Sequence, residues 1–437
     1  MSEIVKPSTL PGFMELLPKD QILFNEMMDT IRKNFENHGF LPIDTPVIEK
    51  SEVLLAKGGG ETEKQIYRFQ KGDTDMSMRF DLTVPLARYT VQHFSDLSFP
   101  FRRYHIGKVY RGEKAQKGRF REFYQCDIDT IGNETLDISN DAEFPVVIYN
   151  TFKELGFDEF AIKINNRKVL KGFFSSLGIK DSGDVLRTVD KMDKIGQASV
   201  LQELIERGIS EEKANKILDF ISIEGTNDEI FAKLEELNIE DEIFQEGFGE
   251  LKTVIEYIKD YDIPEANYAV DLKIARGLDY YTGTVYETIL DNYPEIGSVC
   301  SGGRYENLAS YYTERKLPGV GLSIGLSRLY YQLTQANIVK AEKQSLVDLI
   351  VIPMNEYVHE GIRLVSQLRK KGVKCIVYTE RNKLGKKFKY ADTLDIPYTI
   401  VVGEDEVKSG KYTLKNMKSG EQDLFGIDEI VARINNL

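Results

Sequence analysis

The sequence predicts a multi-domain α+β protein, and its length and two changes of pattern along the chain support that prediction. The 437 residues suit roughly three domains of about 150 residues each. Strand and helix patterns mix in residues 1–166 and 263–332, whereas residues 167–262 show helical periods and few strand signals. After a polar linker at residues 333–344, strands alternate with helices in residues 345–437, which is typical of a separate α/β domain. We therefore expect a helical domain inserted between two halves of a sheet domain, followed by a C-terminal α/β domain.

Composition and charge indicate an ordinary folded protein. Apolar residues make up 41% and charged residues 29% of the chain, which is typical of globular domains rather than disordered ones. The net charge of −13 argues against a protein that coats nucleic acid nonspecifically. No apolar run approaches the roughly 18 residues that a membrane span needs. The first residues also lack the basic and apolar regions of a signal peptide. We therefore predict a cytoplasmic protein with no membrane partner.

Cysteine and histidine are too dispersed to predict a metal site. The three cysteines are Cys126, Cys300 and Cys375. Their spacing matches neither a zinc-binding pattern nor a disulfide framework. The four histidines are equally scattered: His38, His93, His105 and His359. We interpret them as structural and predict no metal site formed by protein side chains.

The first helix and the segment after it are predicted from spacing. An amphipathic helix that Gly39 ends is indicated by apolar residues at every fourth position, namely Leu23, Met27, Ile31 and Phe35. Residues 40–48 then indicate an extended segment. Because Pro46 cannot donate a backbone hydrogen bond, a strand here lies at a sheet edge or an interface. From these residues alone, a purely structural role is an equally good interpretation.

An aspartate and a threonine lie just before Pro85. A carboxylate beside a hydroxyl can accept hydrogen bonds from an ammonium group, so Asp81 and Thr83 are candidate ligands of such a group. Alternatively, Thr83 caps the helix that Pro85 begins. The two roles are compatible.

Residues 99–130 predict two strands joined by a basic connection. Arg111 follows the first strand, and its guanidinium offers paired donors that suit a phosphate. On the second strand, Gln125 and Asp129 lie four residues apart and therefore share one face. A solvated charged hairpin is the alternative, but it does not explain this shared face.

Residues 275–287, Ala-Arg-Gly-Leu-Asp-Tyr-Tyr-Thr-Gly-Thr-Val-Tyr-Glu, are the most informative stretch. Arg276 keeps its proton at any physiological pH, and Gly277 lets the backbone pass close to a ligand. Residues 282–288 predict a strand by β-propensity. By spacing alone, an edge strand with an ordinary surface arginine is the simpler interpretation.

Two other stretches are rich in glycine. Residues 318–329 run from a predicted strand into a predicted helix, and three glycines there permit a close approach to a flat ring or a phosphate, just before Arg328. Residues 57–62 lack the spacing of a P-loop and are interpreted as an ordinary loop.

These motifs, in this order, resemble those of histidyl-tRNA synthetases over nearly the whole chain. Residues 275–287 are similar to the histidine signature of that family. Residues 40–48, 104–129 and 318–329 are similar to the three motifs that class II synthetases share. The resemblance implies an antiparallel sheet flanked by helices, with residues 167–262 as a helical insertion domain and an anticodon-binding domain at the C-terminus.

The resemblance also implies a role for individual residues. Histidine would be bound by Asp81, Thr83, Gln125, Asp129, Tyr280, Tyr281 and Tyr305. ATP would be held by Glu113 and by three catalytic arginines, with Mg²⁺ as the cofactor; these arginines are Arg111, Arg276 and Arg328. The acceptor end of tRNA would face Gln116, Lys117 and Arg119. Many family members have glutamate before the last catalytic arginine, whereas this chain has Ser327, which puts the support of that arginine in doubt.

A basic cluster distinguishes residues 345–437. This stretch carries 15 Lys and Arg against 13 Asp and Glu, which gives a net charge of +2. Because the whole chain has a net charge of −13, residues 1–344 carry −15. Nine of these cations are close in sequence: Arg369, Lys370, Lys371, Lys374, Arg381, Lys383, Lys386, Lys387 and Lys389. Segregated positive charge is expected of a domain that contacts a nucleic-acid backbone.

Taken together, the resemblance implies a histidine–tRNA ligase. Such an enzyme converts L-histidine and ATP to histidyl-adenylate and pyrophosphate, and then transfers histidine to the 3′ end of tRNA(His). The resemblance further implies a homodimer. Two alternatives stay open, a catalytically inactive paralogue that regulates histidine biosynthesis and a synthetase for another amino acid.

Overall fold

The structure, a computed structural model, describes residues 4–56, 61–114, 118–179, 183–189, 191–274, 281–306 and 308–435. The chain divides into two compact units, Met1–Met14 with Met27–Ile338 and Glu15–Glu26 with Val339–Leu437. Among the described helices, none has both the length and the apolar character that crossing a membrane requires.

The first unit is built around a large sheet and a small one. The strands of its described residues are, in chain order, β1 (Leu41–Pro42), β2 (Ile48–Lys50), β3 (Arg68–Lys71), β4 (Thr74–Met78), β5 (Phe101–Tyr110), β6 (Glu122–Ile131), β7 (Phe160–Asn166), β8 (Tyr268–Val270), β9 (Tyr281–Leu290), β10 (Cys300–Tyr305) and β11 (Gly319–Ile324). Eight of them form the large sheet, in the order β1-β5-β6-β11-β10-β9-β7-β8. The other three form the small sheet, in the order β2-β4-β3.

The six inner strands of the large sheet are antiparallel, and the two edge strands are parallel to their neighbours. The predicted antiparallel sheet is therefore confirmed at its centre, whereas the whole sheet is mixed. Strand β1 occupies one edge, in accord with the edge position predicted for the proline-containing segment.

The described helices of the first unit surround the sheet and form the inserted segment. They are α1 (Pro18–Asn37, shared with the second unit), α2 (Ser51–Leu54), α3 (Glu61–Gln65), α4 (Thr83–Gln92), α5 (Ser139–Glu154), α6 (Arg167–Ser176), α7 (Gly183–Val189), α8 (Met192–Ile195), α9 (Gln197–Glu206), α10 (Glu211–Ile221), α11 (Asn227–Glu236), α12 (Glu242–Asp260) and α13 (Leu326–Gln335). Helices α6 to α12 lie within residues 167–262, the stretch that the sequence predicts to be helical.

Helix α1 shows how spacing determines burial. Met27, Ile31 and Phe35 are at most 5% exposed, as their four-residue spacing predicts. The helix ends just before Gly39, whose φ of +75° is the left-handed conformation that glycine adopts without steric cost.

Helix α5 begins later than the sequence predicts. The sequence predicts a helix over residues 133–150, but Asn133 and Thr135 form an isolated β-bridge and the helix runs from Ser139 to Glu154. The helix packs against β7, β10 and β11, on the face of the sheet where Tyr286 donates its hydroxyl proton to the carbonyl of Asp141.

The second unit has its own five-stranded sheet. Its described strands are β12 (Leu349–Pro353), β13 (Cys375–Val377), β14 (Tyr398–Val402), β15 (Tyr412–Asn416) and β16 (Gln422–Phe425), and its other helices are α14 (Val358–Lys370), α15 (Leu384–Thr393), α16 (Glu404–Ser409) and α17 (Ile427–Asn435). The order is β13-β12-β14-β15-β16.

Strands that alternate with helices predict a parallel sheet in the second unit, and this holds for β13, β12 and β14, whereas β15 and β16 are antiparallel. This hairpin is not predicted from the sequence, because β16 is almost wholly exposed and has no apolar run. The feature of the sequence that could have indicated the hairpin is Gly420, which lies in the turn between the two strands with a φ of +77°.

Candidate active site

A cavity of about 460 Å³ in the first unit gathers most of the predicted site residues. Its lining includes ten of them, Asp81, Thr83, Arg111, Glu113, Arg119, Gln125, Asp129, Tyr281, Tyr305 and Arg328. Four others, Gln116, Lys117, Arg276 and Tyr280, lie outside the described residues. The antiparallel centre of the sheet thus brings together side chains that are as far apart in sequence as Asp81 and Arg328.

A row of polar side chains crosses the floor of this cavity. Asp127 on β6 pairs in register with Ser323 on β11, which pairs with Ser301 on β10, which pairs with Glu287 on β9. Because directly paired residues of neighbouring strands point to the same face, all four line the cavity. Gln125 donates from Nε2 to Ser323 Oγ at 2.8 Å. None of the four residues in this row is among the site residues predicted from the sequence.

Arg111 is held on an aromatic support. Its guanidinium carbon lies 4.4 Å from the ring centroid of Phe80 and 5.0 Å from that of Phe123. Its Nε donates to the carbonyl of Phe80 at 3.2 Å. Stacking and this hydrogen bond restrict the orientation of a side chain that is otherwise flexible, which prepares its planar guanidinium for bidentate contact with an anion.

Arg328 is supported from the loop before β10. Its Nη2 donates to the carbonyl of Ile296 at 3.2 Å, and Gln332 donates to the same carbonyl at 2.9 Å. Ser327, where the family commonly has glutamate, is buried and accepts a hydrogen bond from the backbone of Tyr124 at 2.9 Å. The serine therefore ties α13 to β6, and Arg328 is supported through Ile296.

Glu113 and Arg119 stand together at the cavity. Arg119 Nη1 lies 3.7 Å from Glu113 Oε2, and Arg121 donates to the backbone carbonyl of Glu113 at 3.0 Å. The side chain of Arg119 is 54% exposed, so this ion pair contributes little to stability and leaves the arginine accessible to a ligand.

The opposite part of the cavity is acidic and buried. Asp129 is 4% exposed, and its Oδ1 accepts a hydrogen bond from the hydroxyl of Tyr305 at 2.8 Å. Its Oδ2 lies 2.5 Å from Arg103 Nη2, an arginine with no exposed surface that the sequence analysis missed. On β11 the residue facing Asp129 is Gly321, where a Cβ atom would collide with Asp129 Oδ1.

Burial governs the protonation of the two aspartates on β6. Desolvation raises the pKa of Asp129 to about 6, against the opposing effects of Arg103 and of the hydrogen bond from Tyr305. Desolvation likewise raises the pKa of Asp127 to about 7, again opposed by Arg103. Both carboxyl groups therefore gain protons as the pH falls from neutrality.

Asp81 caps helix α4, which corrects one prediction. The helix begins at Thr83, and the backbone N–H of Val84 donates to Asp81 Oδ1 at 2.9 Å. Thr83 is therefore the first residue of the helix rather than its cap, and the helix starts two residues before Pro85. Leu82 holds the N-cap position, and the side chain that accepts from the first turn is that of Asp81. Asp81 is 8% exposed and lines the cavity beside Thr83, so capping leaves the pair available to a ligand.

Comparisons with known proteins agree with this geometry. Residues 12–329 match the family model described as histidyl-tRNA synthetase, and residues 348–437 match the model described as anticodon binding domain. The chain belongs to the histidyl-tRNA synthetase family. Membership of this family confirms the class II synthetase fold with a C-terminal anticodon-binding domain.

Individual members of the histidyl-tRNA synthetase family match over their whole lengths. A histidine–tRNA ligase of Clostridium tetani is 60% identical over 435 residues, covering 99% of each chain. One from Finegoldia magna is 51% identical, covering 99% of this chain and 100% of the relative. The crystal structure of histidyl-tRNA synthetase from Nostoc sp. PCC 7120 superimposes with a TM-score of 0.92 at 40% identity, covering 99% of this chain and 100% of that one.

Proposed function

We propose that this chain, a histidine–tRNA ligase by family, performs both half-reactions in the cavity described above. The observation that carries the proposal is the arrangement of that cavity. Arginines suited to phosphate, Arg111 and Arg328, line it together with the buried carboxylate of Asp129. Such a site can bind a polyanion beside an amino acid that carries an α-ammonium group and a hydrogen-bonding side chain.

The first half-reaction needs no protein nucleophile. The carboxylate of histidine attacks the α-phosphorus of ATP in line, and pyrophosphate leaves. Arg111, Arg276 and Arg328 stabilise the charge that develops on the phosphates, and Glu113 orients the adenine. Catalysis is therefore positioning combined with electrostatic stabilisation, for which the restrained guanidinium of Arg111 is well suited.

Histidine is selected at the acidic part of the cavity. Asp81 and Thr83 accept hydrogen bonds from its α-ammonium group. Asp129 contacts the imidazole, and the other residues proposed for this pocket are Gln125, Tyr280, Tyr281 and Tyr305. A binding site for imidazole needs both donors and acceptors placed for two ring nitrogens, and a buried carboxylate beside tyrosine hydroxyls supplies them.

Mg²⁺ is proposed as the cofactor, bound mainly through ATP. Among the described residues, no three His, Cys, Asp or Glu side chains are grouped as a protein-made metal site requires. Mg²⁺ in nucleotide sites is usually held by substrate phosphates, water and one or two carboxylates, and Glu287 on the cavity floor would supply one. When bound, the ion would neutralise phosphate charge.

We assign tRNA recognition to two regions. Gln116, Lys117 and Arg119 face the acceptor end, and residues 345–437 bind the anticodon. We place the catalytic domain at residues 1–166 and 263–332, the insertion domain at 167–262 and the linker at 333–344. After activation, the 3′-terminal ribose of tRNA(His) takes histidine from the adenylate.

A cytoplasmic homodimer is the proposed state of the enzyme. Large apolar side chains are exposed on the edge strand β1 and on β2, which follows it in the chain, namely Leu41 at 61% and Ile48 at 46%. Exposed apolar side chains of this size, next to an unpaired strand edge, are typical of a surface that another chain covers.

The function is tested by amino-acid-dependent ATP–pyrophosphate exchange. We expect L-histidine to support exchange and the other amino acids to support little, because the carboxylate-lined pocket discriminates by its buried polar groups. Purified tRNA(His) should then be charged. Folded protein that lacks exchange with every amino acid would favour the regulatory paralogue, which whole-length relatives named as histidine–tRNA ligases do not favour. Exchange driven by another amino acid would contradict the proposed substrate.

The C-terminal basic cluster gives a separate prediction for tRNA. Arg381, Lys383 and Lys386 are exposed, whereas Lys387 is 3% exposed and donates to the carbonyl of Pro353. Replacing the three exposed cations by alanine should raise the KM for tRNA. It should also lower the salt slope of tRNA binding by about one for each phosphate that the protein no longer neutralises. Histidine-dependent pyrophosphate exchange should not change.

The matched control for that triple variant is the double variant Lys411→Ala/Lys418→Ala. Both lysines are exposed in the same unit, at the β15–β16 hairpin outside the basic cluster. Equal effects of the two variants on tRNA charging would show that the cluster has no special role.

A further inference from the structure

Arg103 is a buried cation beneath the acidic part of the cavity. It lies on β5 directly opposite Asp129 on β6 and has no exposed surface. Its Nη2 lies 2.5 Å from Asp129 Oδ2, and its Nη1 donates to the backbone carbonyl of Asp127 at 3.4 Å. It does not itself line the cavity, so any effect on a substrate must pass through the aspartate.

Stability alone is a weak reason for such a residue. Burying an arginine and a carboxylate costs desolvation that their attraction often does not repay, and apolar replacements are frequently as stable. Arg304, an arginine with a structural role in the same sheet, differs from Arg103 in its hydrogen bonds. Arg304 binds the carboxylate of Asp141 through Nε and Nη2 and also donates to the backbone carbonyls of Leu136 and Asp137. Arg103, by contrast, has no hydrogen-bond partner for Nε or Nη2 among the described residues, and its Nη2 meets Asp129 Oδ2 as an ion pair.

The groups that face Asp129 show what Arg103 contributes. From β10, Tyr305 donates to Oδ1. From the segment before α4, the carboxylate of Asp81 acts on Asp129 as a like charge, and on its own strand Asp127 is a second buried carboxyl group. From β11, Gly321 supplies no side chain. Of these neighbours and Arg103, only Arg103 is a cation.

We propose that Arg103 is a positioning residue for histidine recognition, which fixes Asp129 through Oδ2 and keeps it ionised so that it accepts a hydrogen bond from the substrate imidazole. The inference rests on the proposed role of Asp129 in the histidine pocket. Tyr305 orients the other oxygen, and Gly321 leaves the space in which the carboxylate lies.

The proposal has a specific dependence on pH. An opposite charge at this distance lowers a carboxyl pKa by about 1–3 units, so loss of Arg103 raises the pKa of Asp129 from about 6 by that amount. The carboxylate is the form present at higher pH. Without the arginine, half or more of this carboxyl group is therefore protonated at pH 7, and it ionises again as the pH rises.

The experiment measures the KM for histidine in pyrophosphate exchange from pH 6 to pH 8.5. Arg103→Met should raise this KM roughly tenfold at pH 7, as a shift of about two units implies. The ratio of the variant KM to the wild-type KM should fall towards one at pH 8.5, with the KM for ATP unchanged. Because both enzymes bind the same substrate at the same pH, the effect of substrate titration cancels in the ratio of the two KM values. Arg103→Lys, which keeps the charge, should show the wild-type dependence of the histidine KM on pH on the acid side of neutrality.

Arg102→Met is the matched control. Arg102 is the next residue on the same strand, and it pairs with Glu143 at 2.7 Å while its guanidinium lies 4.4 Å from the Phe40 ring centroid. This variant loses a comparable ion pair but should leave the histidine KM and its pH profile unchanged. A loss in Arg103→Met that is the same at every pH would overturn the proposal, as would a matching loss in the control.

Asp129→Asn separates this inference from the proposed function. If that variant binds histidine normally, Asp129 is not in the pocket, and both its proposed role and the inference about Arg103 fail. If it binds poorly, and Arg103→Met/Asp129→Asn is no worse, the arginine acts through the aspartate as proposed. An additional loss in the double variant, or failure of both Arg103→Met and Arg103→Gln to fold in thermal denaturation, would show a structural role and contradict the inference alone.

Discussion

Replacing Arg111 by lysine is expected to slow histidyl-adenylate formation roughly 10²–10³-fold, the usual cost of losing one preorganised donor to developing charge. Lysine keeps the positive charge but offers a point charge in place of a planar, bidentate group. It also loses the stacking on Phe80 and Phe123 that restrains the guanidinium. Single-turnover formation of adenylate at saturating ATP and histidine measures the effect, and the KM for histidine should change little.

Arg315→Lys provides the control for Arg111→Lys. The guanidinium carbon of Arg315 lies 4.3 Å from the ring centroid of Phe94, but the residue does not line the cavity. The same substitution there removes the same kind of stacking and should leave adenylate formation unchanged. If Arg111→Lys forms adenylate at a near-normal rate, the arginine does not stabilise the transition state, and its aromatic support is structural.

The resemblance of motifs predicted the centre of this site because those residues are determined by ligand chemistry. Asp81, Gln125 and Asp129 are far apart in sequence or share only a strand face, yet they line one cavity. Asp127 could have been found by the same rule of alternation, since it lies between Gln125 and Asp129 on the same face of β6. A spacing of four residues singles out the outer two of these three side chains and passes over the one between them.

Arg103 could not be identified from the sequence in this way. It is adjacent to Arg102, and alternation along a strand predicts only that the two point to opposite faces. Which of them meets a buried carboxylate depends on the register of β5 against β6, where Arg103 is paired with Asp129. That register is a tertiary property of the sheet, as are the order of its eight strands and the path that places Ser301 and Ser323 in one row.

Replacing Asp129 by asparagine is expected to raise the KM for histidine strongly while the KM for ATP stays nearly constant. Loss of a buried hydrogen bond costs about 1–3 kcal/mol, or roughly 5–150-fold in KM, with the upper part expected because the acceptor is charged. The amide retains the shape of the carboxylate and can still accept from Tyr305 through its oxygen. The charge that distinguishes a proton-donating imidazole from an apolar side chain is gone.

The substitution also leaves Arg103 without its counterion in a site with no solvent exposure. Breaking a buried pair on one side costs about 3–5 kcal/mol of stability, so the melting temperature of Asp129→Asn should fall and must be measured beside the kinetics. Activity is therefore compared at a temperature where the variant is folded. Under those conditions a rise in the KM for histidine alone indicates a role in the pocket, since a lower melting temperature cannot raise one KM and spare the other. An unchanged KM for histidine would remove Asp129 from the pocket.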